Sequence, residues 1–281
     1  MNNTGDKAEE NSKEATESKP KSKNAIKREA RWQRLKEAKA RKKQEEKLRK
    51  KTLKAENKRP LEEEESSRPS KRTIKENEKA NLKRGLESGV KIAIDLQYGN
   101  LMNDKELVHL ASQIRRLYGE NKKAVHPAHI HIVGLDSRCE KVLVDKNDGF
   151  ENYILTKTEK SLTEFFPEDE TRSRLIYLSP DAERSLEKVE KDKIYVIGGL
   201  VDDSVKKKAT FDFAGENKIS AFKLPISEYC DREEGGSFKQ ILTINQVFGI
   251  LLKYLETSDW KEAFEAELPK RIGFKPKEEQ K

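Results

Sequence analysis

Apolar and polar residues change rhythm near position 90. Before it, apolar residues are sparse and scattered. After it, short apolar runs alternate with stretches whose apolar residues recur every three or four positions, the spacings of strands and amphipathic helices. VKIAIDL (90–96), HIHIVGL (129–135), YILT (153–156), RLIYLS (174–179), KIYVIGGLVD (193–202) and ISAFKLP (219–225) predict six strands, the last stopped by Pro225. NDKELVHLASQIRRLYG (103–119) opens on a capping Asn103 and puts Leu107, Leu110, Ile114 and Leu117 on one helical face. Pro180 marks a helix start after the fourth strand, and a charged helix is expected over 204–217. LTINQVFGILLKYLE (242–256) reads as the longest amphipathic helix and DWKEAFEAEL (259–268) as a shorter final one. Strands alternating with helices predict an α/β fold with a mainly parallel sheet.

The charge balance divides the 281 residues at the same place. Residues 1–90 hold 28 Lys+Arg, 17 Asp+Glu and only 19 apolar residues, whereas 91–281 hold 31 basic and 34 acidic. The whole-chain net charge of +8 therefore comes from the first third, and the remainder is apolar enough for a core of ordinary size. Residues 1–20 carry too little apolar surface to offset the entropy of ordering. Residues 21–60, with 18 basic and 5 acidic side chains and no glycine, favour a solvated, partly helical arm. The stripe Trp32, Leu35, Ala38 is too thin for a core face. Such one-signed charge suits nucleic-acid phosphates; the bland alternative is a solubilising helix. LEEEESSRPSKR (61–72) reads as a linker whose flanking Lys58-Arg59 and Lys71-Arg72 could form a two-part nuclear localisation signal, so the expected location is nucleus and/or cytoplasm. The expected organisation is a basic extension over 1–85, an α/β domain over 86–275 and a tail over 276–281.

Candidate chemistry is narrower. No run approaches the roughly 18 apolar residues of a membrane span, and the N-terminus lacks the apolar stretch of a secretory signal. Cys139 and Cys230 cannot build a disulfide framework or a four-thiolate metal site, and a reducing compartment is expected. His109, His126, His129 and His131 cluster, but no HExxH pattern accompanies them, so no metal is expected; His129, His131 and Val133 share a strand face. There is no Walker loop and no GxGxxG fingerprint. Three strand exits share one character: Leu178-Ser179-Pro180, Gly199-Leu200-Val201 and Leu224-Pro225-Ile226 each set an apolar residue beside a turn former. Loops beyond the carboxyl ends of parallel strands are the usual ligand crevice, though three ordinary exits would look the same.

IYLSPDAE, DKIYVIGGLVD, KLPISEY, LTINQVFGILLKYLE and DWKEAF, in that order, together with the upstream IDLQYGNLMNDKEL…Q…YGENKKAVHP, closely resemble the tRNA methyltransferases that modify N1 of the purine at position nine, a SPOUT-superfamily family. The likeness covers about residues 90–272. It implies a SPOUT-type sheet with a C-terminal trefoil knot, S-adenosylmethionine as cofactor, tRNA as partner and a monomeric enzyme. It places the cofactor around Leu178, Ser179, Gly199, Leu200, Val201, Leu224, Thr243, Ile244 and Asn245, which include the three strand exits.

Asp202, in GGLVD, matches the family's proposed catalytic aspartate; Asp203 is its neighbour, and a helix cap is the alternative role for Asp202. Asp95, Gln113 and Tyr118 match positions of the family's N-terminal half. Gln113 either hydrogen-bonds a base edge or caps structure. Lys122-Lys123 stands where relatives usually carry two arginines, keeping charge but losing the bidentate fork. Asp95, Gln113, Lys122, Lys123 and Lys207 are thus the candidate substrate contacts. Phe211-Asp212-Phe213 departs from a usually more polar stretch. The implied activity is N1 methylation of guanine 9. Methylation of A9 as well, a non-catalytic RNA-binding or chaperone role, and DNA binding through the arm are the alternatives.

Overall fold

Alternation along each strand decides which face a residue buries. In Lys91–Asp95 (β1), Ile92 and Ile94 join one apolar cluster while Ala93 joins another. His129–Val133 (β2) splits Ile130 and Ile132 from Val133, Leu175–Leu178 (β4) splits Ile176 and Leu178 from Leu175 and Tyr177, and Ile194–Gly198 (β5) splits Tyr195 and Ile197 from Ile194 and Val196. Both faces are therefore covered, as a parallel sheet requires. The computed structural model describes residues 70–167, 169–201, 208–232, 241–269 and 273–277, with isolated helical positions between 33 and 47.

With Thr156–Lys157 (β3) and Ser220–Phe222 (β6), these strands form one six-stranded sheet of order β3-β2-β1-β5-β4-β6, and every pairing is parallel. The larger face is covered by Asp104–Asn121 (α2), Ile244–Thr257 (α8) and Trp260–Glu267 (α9). The smaller face receives Leu162, Phe166, Ala214 and Ile219. The α/β expectation holds. Helix α2 starts as its sequence predicts: the Asn103 side chain accepts from the Lys105 and Glu106 amides, and Glu106 returns a bond to the Asn103 amide.

The chain divides into two units, Met1–Arg68 and Pro69–Lys281. In the first, Gln33, Arg34, Glu37, Arg41 and Gln44–Lys47 are helical and exposed, in line with the solvated-arm reading. The second begins earlier than the expected residue 86. Helix α1, Lys71–Ser88, is capped by Ser70, buries Leu82, and brings Gly85 so close to β2 that a Cβ there would lie 2.9 Å from the Ala128 carbonyl oxygen. The Asn81 Nδ2 group donates to the carbonyls of Lys122 (3.0 Å) and Ala124 (2.9 Å), and Arg84 to that of Val125 (2.8 Å). Composition assigned this helix to the extension because its packing face is only one or two residues wide. Moving the boundary also moves the charge: residues 1–68 carry 22 basic and 14 acidic side chains, and 69–281 carry 37 of each.

Other elements differ from expectation. β3 starts at Thr156 rather than Tyr153, because the Tyr153 ring stacks on Tyr118 at 3.8 Å and the Ile154 amide donates to the Tyr118 hydroxyl. No helix follows Pro180. The Leu186 amide donates to the Lys223 carbonyl (2.8 Å) and the Lys223 amide to the Arg184 carbonyl (2.9 Å). The indole of Trp260 donates to the Glu187 carbonyl at 2.7 Å. Residues 180–192 thus cross the exit of β6, fastened to chain on both sides, and a helix could not make these bonds. The helix expected over 204–217 is seen over Ala209–Glu216 (α6), and positions 202–207 lie outside the described residues. A helix over Ser137–Lys146 (α3), capped by Asp136, and an antiparallel pair of Cys230–Arg232 (β7) with Phe274–Pro276 (β8) were not anticipated.

Candidate active site at the strand exits

The carboxyl ends of β4, β5 and β6 lie side by side, with Leu178 opposite both Ile197 and Phe222. Leu178 and Ile244 are buried in the larger core cluster, and Leu200, Val201 and Leu224 pack against it. Apolar residues from four separate stretches of sequence thus belong to one core cluster, with the ends of β4, β5 and β6 adjacent. Polar groups frame it. Ser179 is 2% exposed; its amide donates to the Phe222 carbonyl at 2.9 Å, and its hydroxyl accepts from Thr210 Oγ1 at 3.1 Å and from the Asp181 amide at 3.3 Å. The Thr243 hydroxyl donates to Asn245 Oδ1 at 3.1 Å, and the Thr243 amide to Gln246 at 2.9 Å.

Gly199 is required by space. Its amide donates to the Asp95 carbonyl at 2.7 Å, and a Cβ would lie 2.7 Å from that same oxygen. At Gly198 a Cβ would lie 2.5 Å from the Thr210 methyl. Beyond them the Val201 amide donates to Met102 Sδ at 3.4 Å. Met102 itself is 3% exposed and is fixed by Arg138, which donates to the Gly99 and Met102 carbonyls at 3.2 and 3.1 Å. On the far side of 202–207, the Lys208 amide donates to Asp181 Oδ2 at 3.2 Å.

Asp95 lies beneath this floor. It is 0% exposed, so it does not offer its carboxylate to a substrate. The Tyr177 hydroxyl donates to Asp95 Oδ2 at 3.0 Å, and Gln97 Nε2 donates to the same oxygen at 2.7 Å. With the Tyr177 proton committed, the Tyr98 hydroxyl, 3.0 Å away, must donate to Tyr177. Burial raises the Asp95 carboxyl from its ordinary 3.8 to about 6, against hydrogen bonds from Gln97 and Tyr177 that pull it down. The network braces β1 against β4 under Gly198-Gly199.

Gln113 is brought to the site, in a different role from a base contact: its Oε1 accepts from the Ile244 amide at 2.9 Å. Lys122 and Lys123 are not brought there. They line a groove of about 760 Å³ with Ile74, Asn77, Asn81 and Arg84 of α1, and none of the strand-exit residues lines it. The Lys122 ammonium is also paired with Glu78 at 3.2 Å, which lessens what it can offer to a phosphate. Asp202, Asp203 and Lys207 lie outside the described residues. Phe213 packs edge-on against Tyr177 at 5.9 Å, so the departure at 211–213 serves the smaller core. The two strand histidines are structural: His129 bonds Thr156 at 2.9 Å and stacks on His131, which is 5% exposed.

A model of the family described as tRNA (guanine(9)-N(1))-methyltransferase TRM10/TRM10A matches residues 19–273. The chain belongs to this family. It is 43% identical over 209 residues to tRNA methyltransferase 10 homolog B of Bos taurus, covering 73% of this chain and 65% of that protein. The Danio rerio homolog B is also 43% identical, with 73% and 66% covered. The chain therefore spans just under two thirds of the length of these curated relatives. The solved structure of full-length spTrm10 in complex with SAH is 34% identical, covers 65% of this chain and 96% of that one, and superposes with a TM-score of 0.58. The SPOUT-type fold of the TRM10 family is thus the fold of this chain.

Within the TRM10 domain, pattern reading missed Tyr98, Tyr177, Met102 and Thr210. One signal was available for Tyr177. A tyrosine inside the aliphatic run RLIYLS must find a partner for its hydroxyl once buried, and a carboxylate at a neighbouring strand end is an obvious one. Met102 carried no such signal, since methionine in a turn is usually a gap filler.

Proposed function

We propose that this protein is an S-adenosylmethionine-dependent methyltransferase acting on N1 of guanine at position 9 of tRNA. The observation that carries the reading is the family match over residues 19–273, joined to the side-by-side carboxyl ends of β4, β5 and β6. That site suits the cofactor. Leu178, Leu200, Leu224 and Ile244 would supply apolar contacts and Ser179, Thr243 and Asn245 polar ones, while Gly199 lets its loop sit tight against β1. Bound there, the cofactor would supply a methyl group on a sulfonium, an electrophile that needs no metal.

Guanine N1 carries a proton at neutral pH, so its lone pair becomes available only as that proton leaves. The new N1–CH3 bond forms as the S–CH3 bond breaks, and the N1 proton passes to a carboxylate or to solvent. Asp202 is assigned as that carboxylate on its place in GGLVD, between Val201, tied to Met102, and Lys208, tied to Asp181. Position nine lies inside the folded tRNA core, and exposing it costs a few kcal/mol. The excess charge of residues 1–68, +8 overall, is assigned the offsetting attraction to tRNA phosphates, with Lys122, Lys123 and Lys207 as local contacts. The enzyme acts as a monomer, in the nucleus and/or cytoplasm.

The test is methyl incorporation into a G9 tRNA and a matched A9 tRNA. The expected result is m1G at position 9 and a loss of at least about a hundredfold in Asp202→Asn, the scale of general-base catalysis. No methylation of any G9 tRNA overturns the function. Full activity in Asp202→Asn overturns the base assignment alone. Methylation of the A9 tRNA broadens the substrate.

A further inference from the structure

We infer that Gln113 is a positioning residue that sets cofactor affinity by holding the 243–245 segment from helix α2. The inference rests on the cofactor site proposed above.

Helix α8 begins at Ile244, and the first amides of any helix lack intrahelical partners. Most polar groups of this start are satisfied locally. The Thr243 amide goes to Gln246, the Thr243 hydroxyl to Asn245, and the Gln246 and Val247 amides to the Thr243 carbonyl. The Ile244 amide instead goes to Gln113 Oε1, 131 residues away in sequence and 2.9 Å away in space. Its acceptor cannot be water in the same way, because Ile244 is 3% exposed and belongs to the larger core cluster. Removing the acceptor leaves a donor without a partner in the first turn, and the turn can recover it only by shifting.

The direction of the bond settles the chemistry of the amide. An N–H demands an oxygen, so Oε1 faces Ile244 and Nε2 faces away. One lone pair of the Gln113 oxygen is thus committed to the protein. Helix α2 is a rigid support for this task. It is capped at Asn103, buries Leu107, Leu110, Ile114 and Leu117, and is fastened at its far end by Asn121, whose side chain bonds both the amide and the carbonyl of Ala128. A side chain on a well-held helix positions its target better than one on a loop would.

Two variants separate the acceptor from the rest of the side chain. Gln113→Leu keeps the volume and removes the acceptor. Gln113→Glu keeps an acceptor oxygen at the same reach. For the full-length protein, S-adenosylmethionine affinity is measured by calorimetry, hydrogen exchange at the Ile244 amide by NMR, and kcat at saturating cofactor with tRNA. Gln113→Leu should weaken cofactor binding about five- to tenfold and speed exchange at Ile244, with kcat changed less than about twofold; Gln113→Glu should restore affinity and protection to within about twofold of wild type. Wild-type affinity in Gln113→Leu overturns the inference. So does a Gln113→Glu protein that binds as weakly as Gln113→Leu, since the amide donors rather than the acceptor would then matter. If the wild-type protein binds no S-adenosylmethionine, the functional reading fails, and unchanged Ile244 exchange in Gln113→Leu still refutes the positioning role.

Discussion

Replacing Asp95 by asparagine tests the physics under the site floor. The wild-type carboxylate is 0% exposed, and burial raises its pKa from 3.8 to about 6. A raised pKa means that the folded state holds the proton more tightly than the unfolded state. The associated stability is fully present below pH 3.8 and is lost as pH rises through 6. The interval corresponds to about 3 kcal/mol at roughly 1.4 kcal/mol per tenfold change in proton affinity. Asparagine cannot titrate. The stability of wild type minus that of Asp95→Asn should therefore fall by roughly 2 kcal/mol between pH 4 and pH 7, a window that starts just above the unfolded value. Equilibrium urea unfolding followed by circular dichroism, at half-unit pH steps on both proteins, measures this difference. Other titrating groups cancel in the subtraction. The absolute offset between the proteins also reflects the polar partners, since Tyr177 and Gln97 both donate to one carboxylate oxygen and asparagine offers a single acceptor atom. The pH dependence of the difference isolates the buried charge. A difference that stays flat from pH 4 to pH 7 refutes the reasoning, because it would mean that Asp95 pays no desolvation cost in the folded protein.

A second titration lies at the far end of α2. Burial, and then the neighbouring Glu267 carboxylate, raise Glu120 from 4.5 to about 7, against Arg116. Both carboxylates face Gly249, where a Cβ would lie 2.7 Å from Glu267 Oε2 and 3.6 Å from Glu120 Oε2. The stability linked to the Glu120 proton is present below pH 4.5 and lost as pH rises through 7, so Glu120→Gln should raise the melting temperature at pH 8 and leave it nearly unchanged at pH 5. Truncation tests the domain boundary: a chain starting at Pro69 should melt as the full chain does, whereas one starting at Gly89 should lose several degrees, because Leu82 burial and the Asn81 and Arg84 bonds go with α1. The Pro69 chain should also show a shallower dependence of tRNA affinity on salt, and an unchanged slope would mean that residues 1–68 make no phosphate contact.

Much of the fold is legible in the residues. The strand faces follow from alternation, as in Ile92, Ala93, Ile94, and helix α2 begins where Asn103 and Glu106 say it should. The apolar exits at Leu178, Leu200 and Leu224 were readable as a possible joint crevice, though three ordinary exits would have looked the same. The helix over Ser137–Lys146 escaped notice because Arg138, Glu140, Lys141, Asp145 and Lys146 dilute its apolar stripe, Cys139 and Leu143 being its buried residues. The turn after Pro180 was misread because a proline suits a helix start and a turn equally, and the bonds to Lys223 and Trp260 that decide the matter come from distant chain.

The sequence by itself determined the local elements, the alternating apolar faces, the concentration of positive charge in the first third of the chain, and the family. Each is a property of residue type and short-range spacing, which survives without knowledge of what lies opposite. The tertiary structure decided partners. Asp95 meets Tyr177 across 82 residues, and Gln113 meets Ile244 across 131. These pairings depend on the strand order and on where α8 lands, and periodicity is blind to both. For that reason the sequence could nominate Asp95 and Gln113, while only the packed chain showed one to be a buried brace and the other the acceptor for the Ile244 amide.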